Sequence, residues 1–186
     1  QWAPIIFDAL ISEQQQVWVQ DLDISMFSTF ARLGKSQLLQ ELLTVQPQGF
    51  INEGYFHWQG DKQWRVWFEA EHLGWSGFHG IPGAQDLSAS AHINNRKGLL
   101  SIAGSDNHLL TGKTFSEPLA YQQLAAEVAF FNDGEHWSIE SDEVTLSNDD
   151  LDLVAEFALT LDSQPNMNLY AEISGGSAAN AGRYFP

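Results

Sequence analysis

The stretch LDLVAEFALTLD, residues 151–162, alternates apolar and polar side chains. Its odd-numbered positions carry leucine, alanine and phenylalanine, whereas its even-numbered positions include Asp152, Glu156 and Thr160. Successive side chains of a β-strand point to opposite faces, so this pattern predicts a strand with one apolar and one solvated face. Half-buried strands of this kind are typical of antiparallel sheets.

The same alternation recurs earlier in the chain. It covers residues 64–71, where Trp67 is an exception, residues 87–94 and residues 124–130. Residues that favour reverse turns lie at positions 60–62, 94–98, 104–107, 132–134 and 162–166. We therefore predict a mainly β protein, an antiparallel meander of roughly ten strands.

Two segments depart from this pattern. Between positions 25 and 45 the apolar residues follow helical spacing, with Gly34 as a break and Pro47 as a stop. Two short helices are predicted there, at about residues 25–32 and 36–45, packed as core or as a plug at one end of the sheet. Residues 174–182 are rich in serine, glycine and alanine, which predicts a flexible connector.

Composition excludes several classes of protein. The chain of 186 residues has 24 acidic residues against 8 lysines and arginines, a formal charge of −16. Nucleic acids and anionic membrane surfaces are therefore poor partners, because both require clustered cations. There is no cysteine and no apolar run long enough for a transmembrane segment. We expect residues 1–186 to form a single β segment of a much longer protein.

The sequence predicts no catalytic, metal or cofactor site. Residues 74–78 and 175–179 lack the final glycine of the serine-hydrolase motif. The six histidines show no ligand spacing. The acidic run Asp149, Asp150 and Asp152 lacks the glycine and terminal glutamate of a calcium loop, so we interpret it as a solvated turn. We expect a protein that is not an enzyme.

Two alternatives stay open. Six aromatic residues lie in the segment 55–68, and exposed rings of this kind are used by carbohydrate-binding β-sandwiches. Four of the six share the parity of the aliphatic positions, which favours an apolar interior instead. Glu69 and Glu71 share the opposite face of one strand, as the acid pair of a jelly-roll glycosidase would. The apolar parity of that strand makes a solvated outer face the favoured interpretation.

Four short motifs resemble the AsmA-like YhdP family of Gram-negative bacteria in order and spacing. They are Leu22-Asp23-Ile24, VQPQGF at 45–50, HGIPGAQDL at 79–87 and AGRYFP at 181–186. The resemblance covers nearly the whole chain. It implies a very long periplasmic protein, anchored in the inner membrane, whose open β-trough carries phospholipids between the inner and outer membranes. The family offers no catalytic residues, and we expect the anchor to belong to another part of the longer protein.

The residues and the resemblance together predict a meander curled into an open U-shaped groove, or β-taco, that shields phospholipid acyl chains. An acyl chain of about 15 methylenes at ~0.8 kcal/mol each carries about 12 kcal/mol of unfavourable water contact, which a dry apolar row removes. The other expected partner is the continuation of the protein's own chain at both ends. The predicted groove-lining residues are Trp64, Val66, Phe68, Ala70, Leu87, Ala89, Ala91, Ile93, Leu100, Ile102, Leu124, Val128, Phe130, Leu153, Ala155, Phe157 and Leu159.

Overall fold

The alternating segments form the strands of a single antiparallel sheet. The computed structural model describes residues 8–11, 15–26, 44–59, 63–77, 82–110, 118–134, 136–161 and 166–176. The ten strands are β1 (Asp8–Ile11), β2 (Gln15–Asp23), β3 (Gln48–Gln59), β4 (Gln63–Trp75), β5 (Ala84–Asn94), β6 (Lys97–Leu109), β7 (Leu119–Asn132), β8 (Trp137–Ser147), β9 (Asp152–Leu161) and β10 (Asn166–Ser174).

The strands are hydrogen-bonded in the order in which they occur in the chain, from β1 to β10. Each pair is antiparallel, and within the described residues β1 and β10 are the two free edges of the sheet. Turn residues such as Asn94, whose side chain accepts hydrogen bonds from the backbone N–H groups of Arg96 and Lys97, close the short connections. The prediction of a mainly β antiparallel meander is confirmed.

The predicted helices lie mostly on residues 27–43, outside the described part of the chain. At their margins Met26, Thr44 and Val45 have helical backbone. No helix among the described residues has the length and apolar character needed to cross a bilayer. Strand β10 ends at Ser174, and Gly175 follows with a left-handed φ of 67°; most of the predicted connector, from residue 177, lies outside the described ranges.

Strict alternation breaks once in each of several strands. In β2, β4, β5 and β6 two consecutive exposed residues interrupt the pattern, and the second of each pair has a positive φ between 49° and 56°. These second residues are Asp21, His72, Asp86 and Asp106. Aspartate and histidine adopt the left-handed region more readily than most residues. Strict alternation would direct one polar residue of each of these strands to the apolar face. The break places that residue in solvent instead.

The predicted turn at 104–107 is wrong. Strand β6 runs through this segment without reversing and pairs with β7 on both sides of it, as Gly104 with Leu124 and Asn107 with Tyr121. A single left-handed residue, here Asp106, produces a local bulge in a strand rather than a chain reversal. Glycine and aspartate therefore have a different role here from the one that their turn propensity indicates.

Strand β8 has a bulge of its own. Its pairing with β9 shifts between Ser141 and Val144, and the intervening Asp142 and Glu143 are exposed. The buried Ser141 hydroxyl donates to the backbone oxygens of Glu127, at 2.7 Å, and Glu143, at 3.2 Å. The side chain thus provides a partner for carbonyls at the point where the regular ladder is interrupted.

A hydrophobic cluster lies towards the end of the sheet where β4 joins β5 and β6 joins β7. Its buried members are Ala84, Leu87, Tyr121, Leu146 and Leu151. The indole of Trp75, which packs on this cluster, donates a hydrogen bond of 2.8 Å to the carbonyl of Pro82. The tertiary packing is therefore strongest at this end of the sheet.

Two of the left-handed residues form an ion pair across β4 and β5. The Nδ1 atom of His72 lies 2.6 Å from Oδ1 of Asp86, and both side chains are mostly exposed. The hydrogen bond to Asp86, followed by the charge of Asp86, raises the pKa of His72 above its ordinary value of 6.5. The bulges of adjacent strands are thus linked by a side-chain contact.

The pair predicts a pH dependence of stability. Its contribution is fully present below pH 6.5, where His72 would also be protonated in the unfolded chain, and is lost as the pH rises through the raised folded pKa. In Asp86→Asn the pKa of His72 should return towards its ordinary value. An NMR pH titration of the His72 ring in both proteins measures this, and identical midpoints would show that the contact does not form in solution.

Candidate functional site: the apolar face of the sheet

Residues that pair directly across antiparallel strands point to the same face of a sheet. Starting from Leu159, the pairing traces a row across nine strands, from β2 to β10: Val17, Phe56, Val66, Ile93, Gly98, Phe130, Ile139, Leu159 and Met167. A second row on the same face also crosses nine strands: Leu22, Ile51, Ala70, Ala89, Ile102, Ala126, Val144, Ala155 and Ala171. We call the face that carries these rows the apolar face.

The structure places every predicted groove residue on the apolar face. The predicted residues outside the two rows pair in shorter rows on the same face. Phe68, Ala91, Leu100 and Val128 form one such row, and Leu124 and Leu153 both pair with Leu146. Leu87 pairs with Leu73, Trp64 with Trp58, and Phe157 with Ser141. Shared placement is thus established by the pairing register. Contact with lipid stays a prediction.

Further members of the apolar face were not predicted. Strands β2, β3, β8 and β10 contribute apolar residues, and so do Leu73 and Trp75 beyond the bulge of β4. The signal for β10 was present in the alternation of Met167, Leu169, Ala171 and Ile173 with polar residues. The residues beyond the bulges lack such a signal, because the change of parity there depends on backbone conformation.

Charged side chains are absent from the apolar face of the described strands β2 to β10. In the described strands β2 to β10 the register places no aspartate, glutamate, lysine, arginine or histidine on it, and its polar members are Gln15, Asn107, Asn132 and Ser141. Charge is instead confined to the opposite face, the bulges and the turns. Transfer of an ion to apolar surroundings is costly, so this distribution allows the face to hold apolar matter.

Several larger side chains at the margins of the apolar face, three of them on the edge strand β10, keep substantial exposure. Trp58 is 38% exposed, Met167 57%, Leu169 62% and Ile173 60%. Small residues are covered by larger neighbours: Ala91, between Phe68 and Leu100, is 1% exposed. In the described part of the chain no second sheet packs on these rows, since all ten strands belong to one sheet. The face therefore presents apolar surface that these strands leave uncovered.

The segment 55–68 divides its aromatic residues between the two faces. Phe56, Trp58, Trp64 and Phe68 lie on the apolar face, as their parity indicated. Tyr55 and Trp67 pair with each other on the opposite face, which explains the exception that Trp67 made in the sequence pattern.

One buried polar atom interrupts the apolar character of the cluster. The hydroxyl of Tyr121 has no hydrogen-bond partner in the described part of the protein, and the side chain is 2% exposed. Burial, and to a smaller extent the charge of Asp86, raises the pKa of Tyr121. Since its ordinary value is already about 10, the hydroxyl stays neutral at physiological pH. It adds no charge to the face.

The described side chains form no cluster of three or more potential metal ligands. Glu69 and Glu71 are exposed on the face opposite the apolar rows. The chemistry that the apolar face offers is thus the burial of apolar surface, which is non-directional and scales with the area removed from water.

In the described residues these features define an open, single-layer β-sheet with one uncharged apolar face. The chain belongs to the YhdP family, because the family model described as YhdP protein matches residues 1–186. This confirms the family that the four motifs indicated. The family is one of bacterial envelope proteins, and membership is consistent with lipid transport at a general level. No curated protein and no solved structure matches the chain.

Proposed function

We propose that this chain is one section of a hydrophobic β-groove that shields phospholipid acyl chains during transport between the inner and outer membranes. The section works in the periplasm, as part of a longer protein anchored in the inner membrane. The observation that carries the proposal is the pair of rows that cross nine strands without a charged residue.

The direction of the rows suits movement of a lipid. Strands are spaced ~4.8 Å apart, so nine strands span about 38 Å, more than the ~15 Å depth of one bilayer leaflet's hydrocarbon. An acyl chain lying along a row meets an apolar residue or Gly98 at each strand. Because apolar contact is non-directional, the chain slides from one strand to the next without breaking particular hydrogen bonds.

The free edge at β10 is suited to continuation of the groove. All nine residues of β10 are exposed, and Met167, Leu169 and Ile173 extend the apolar rows to the edge. An unpaired strand presents backbone N–H and C=O groups that a further strand satisfies. We assign that position to the protein's own continuing chain, which would lengthen each row by one residue for every strand added.

Photo-crosslinking on one strand tests the proposal. Benzoylphenylalanine at Phe157, on the apolar face of β9, should crosslink to phospholipid in cells. The same residue at Ala158, the next position and on the opposite face, should yield at least about tenfold less lipid adduct, since successive side chains of a strand face opposite ways. Mass spectrometry of the purified adducts gives both yields.

Equal lipid yields at the two positions would contradict a groove on the apolar face. Absence of lipid adducts at Phe157, in protein shown to be folded by its circular dichroism, would do so as well. The carbohydrate-binding alternative requires a β-sandwich of two sheets, whereas the described strands form one sheet.

A further inference from the structure

A row of aromatic rings crosses four strands on the face opposite the apolar rows. It consists of Trp18, Tyr55, Trp67 and His92, each paired with the next, and we call it the aromatic strip. Ring centroids are 5.7 Å apart for Trp18 and Tyr55, 6.1 Å for Trp18 and Trp67, and 5.9 Å for Trp67 and His92. Trp18 is 40% exposed. These rings would not contact a lipid in the proposed groove, because they lie on the opposite face of the sheet.

A depression of about 480 Å³ adjoins the strip. Tyr55, Trp67 and His92 line one side of it, and Leu99 and Phe131 line the other. Leu99 and Phe131 are themselves 40% and 47% exposed. The volume is within the range of ~300–1,000 Å³ typical of small-molecule sites.

The charge of this depression is opposite to that of the chain. Arg65 and Lys97 line it, and no aspartate or glutamate does, although the sequence contains 24 acidic residues. Among the described residues Arg65, Arg96 and Lys97 are the only lysines and arginines, so two of the three lie here. Neither Arg65 nor Lys97 forms an ion pair with another described residue. The guanidinium of Arg65 is 5.7 Å from the centroid of the Tyr55 ring.

We propose that the aromatic strip and its depression bind an acidic saccharide, a sugar that carries carboxylate groups. The C–H face of a pyranose ring stacks on the negatively charged face of an indole or phenol ring. A carboxylate on that ring pairs with the planar guanidinium of Arg65, which suits bidentate contact, and with the ammonium of Lys97. Asn94, also in the lining, supplies an amide for sugar hydroxyls.

Other anionic partners fit less well. A peptide that adds as a strand needs a free sheet edge, whereas the strip lies on strands that are paired on both sides. A simple inorganic anion would make no use of the rings. An anionic membrane, which would face a broad area of the protein surface and not one depression, would be repelled by the chain's net charge of −16. The rings and the two cations of this site lie on the face opposite the proposed groove, so the proposal does not depend on the groove, although Val66, Ile93 and Gly98 of the first apolar row also line the depression.

Calorimetric titration of the 186-residue chain tests the site, with trigalacturonic acid as the acidic probe and maltotriose as the neutral control. We expect saturable binding of trigalacturonic acid that weakens with added salt, and at least about tenfold weaker binding of maltotriose. The double variant Arg65→Gln, Lys97→Gln should bind the acidic probe at least about tenfold more weakly. Arg96→Gln removes one positive charge from a neighbouring residue outside the lining and should leave binding unchanged.

Absence of binding to trigalacturonic acid by the folded chain would overturn the proposal, as would equal affinity for maltotriose. Equal losses in Arg96→Gln and in Arg65→Gln, Lys97→Gln would show a general charge effect and overturn it as well. A third arm measures adsorption to phosphatidylglycerol vesicles. Adsorption that requires Arg65 and Lys97, without saccharide binding, would identify a membrane as the partner instead. Crosslinking at Phe157 tests the lipid groove on the other face, so its result does not depend on any of these binding measurements.

Discussion

Replacing Ala126 with aspartate is expected to remove bound phospholipid from the chain. Ala126 lies in the second apolar row, between Ile102 on β6 and Val144 on β8. An ionised carboxylate at this position would either be desolvated by contact with an acyl chain or keep its hydration water inside the groove. Both outcomes make lipid binding less favourable. A penalty of about 3 kcal/mol corresponds to roughly a hundredfold loss of lipid occupancy. Lipid extracted from the purified variant and quantified per protein by mass spectrometry gives the result.

Ala125→Asp is the matched control for this variant. Ala125 precedes Ala126 on β7, is exposed on the opposite face and pairs with Ala103 and Thr145. Its replacement should leave lipid content unchanged and alter the free energy of unfolding in urea by less than about 1 kcal/mol. Similar lipid content in the two variants would show that the apolar row is not the lipid site. Urea unfolding of Ala126→Asp separates loss of lipid from loss of fold.

Gly49→Ala is expected to lower the free energy of unfolding by about 3 kcal/mol. Gly49 has a φ of +117°, a conformation that residues with a Cβ rarely adopt. An added Cβ would lie 2.6 Å from the backbone oxygen of His72, on the neighbouring strand β4. The contact is with backbone at a bulge, so relief requires movement of the strand. Urea denaturation followed by circular dichroism measures the loss.

Gly134→Ala separates the two causes of this effect. Gly134 has a similar φ of +107°, but an added Cβ would have no atom within 4 Å. It therefore carries the backbone strain without the steric contact, and its variant should lose at least about 1 kcal/mol less than Gly49→Ala. Equal losses would show that close packing at the β3–β4 bulge contributes nothing to stability.

The bulges connect the fold to the proposed function. In β4 and β5, strict alternation would direct His72 and Gln85 towards the apolar face; the slip brings Leu73 and Ala84 there instead. The same slip leaves Gln85 in solvent beside Asp86, which bonds to His72. Conformational irregularity thus allows rows to stay apolar across strands whose sequences do not alternate throughout.

The predictive power of the sequence followed the regularity of the strands. Between bulges, parity alone placed residues such as Val66, Ile102 and Phe157 on one face, because the period of a strand is two. It failed at Gly104 to Asn107, where the residues that favour a turn form a bulge within β6. Turn propensity and bulge propensity both depend on left-handed backbone, so composition alone does not separate them.

The sequence by itself determined the mainly β class, the antiparallel order, the family and the apolar identity of the face, since each depends on local pattern or on motifs. Tertiary structure alone decided which rows join across nine strands, where the parity slips, and that Trp18, Tyr55, Trp67 and His92 form one strip. The physical reason is pairing register. It is set by contacts between strands distant in the chain, and a shift of one residue would exchange the two faces.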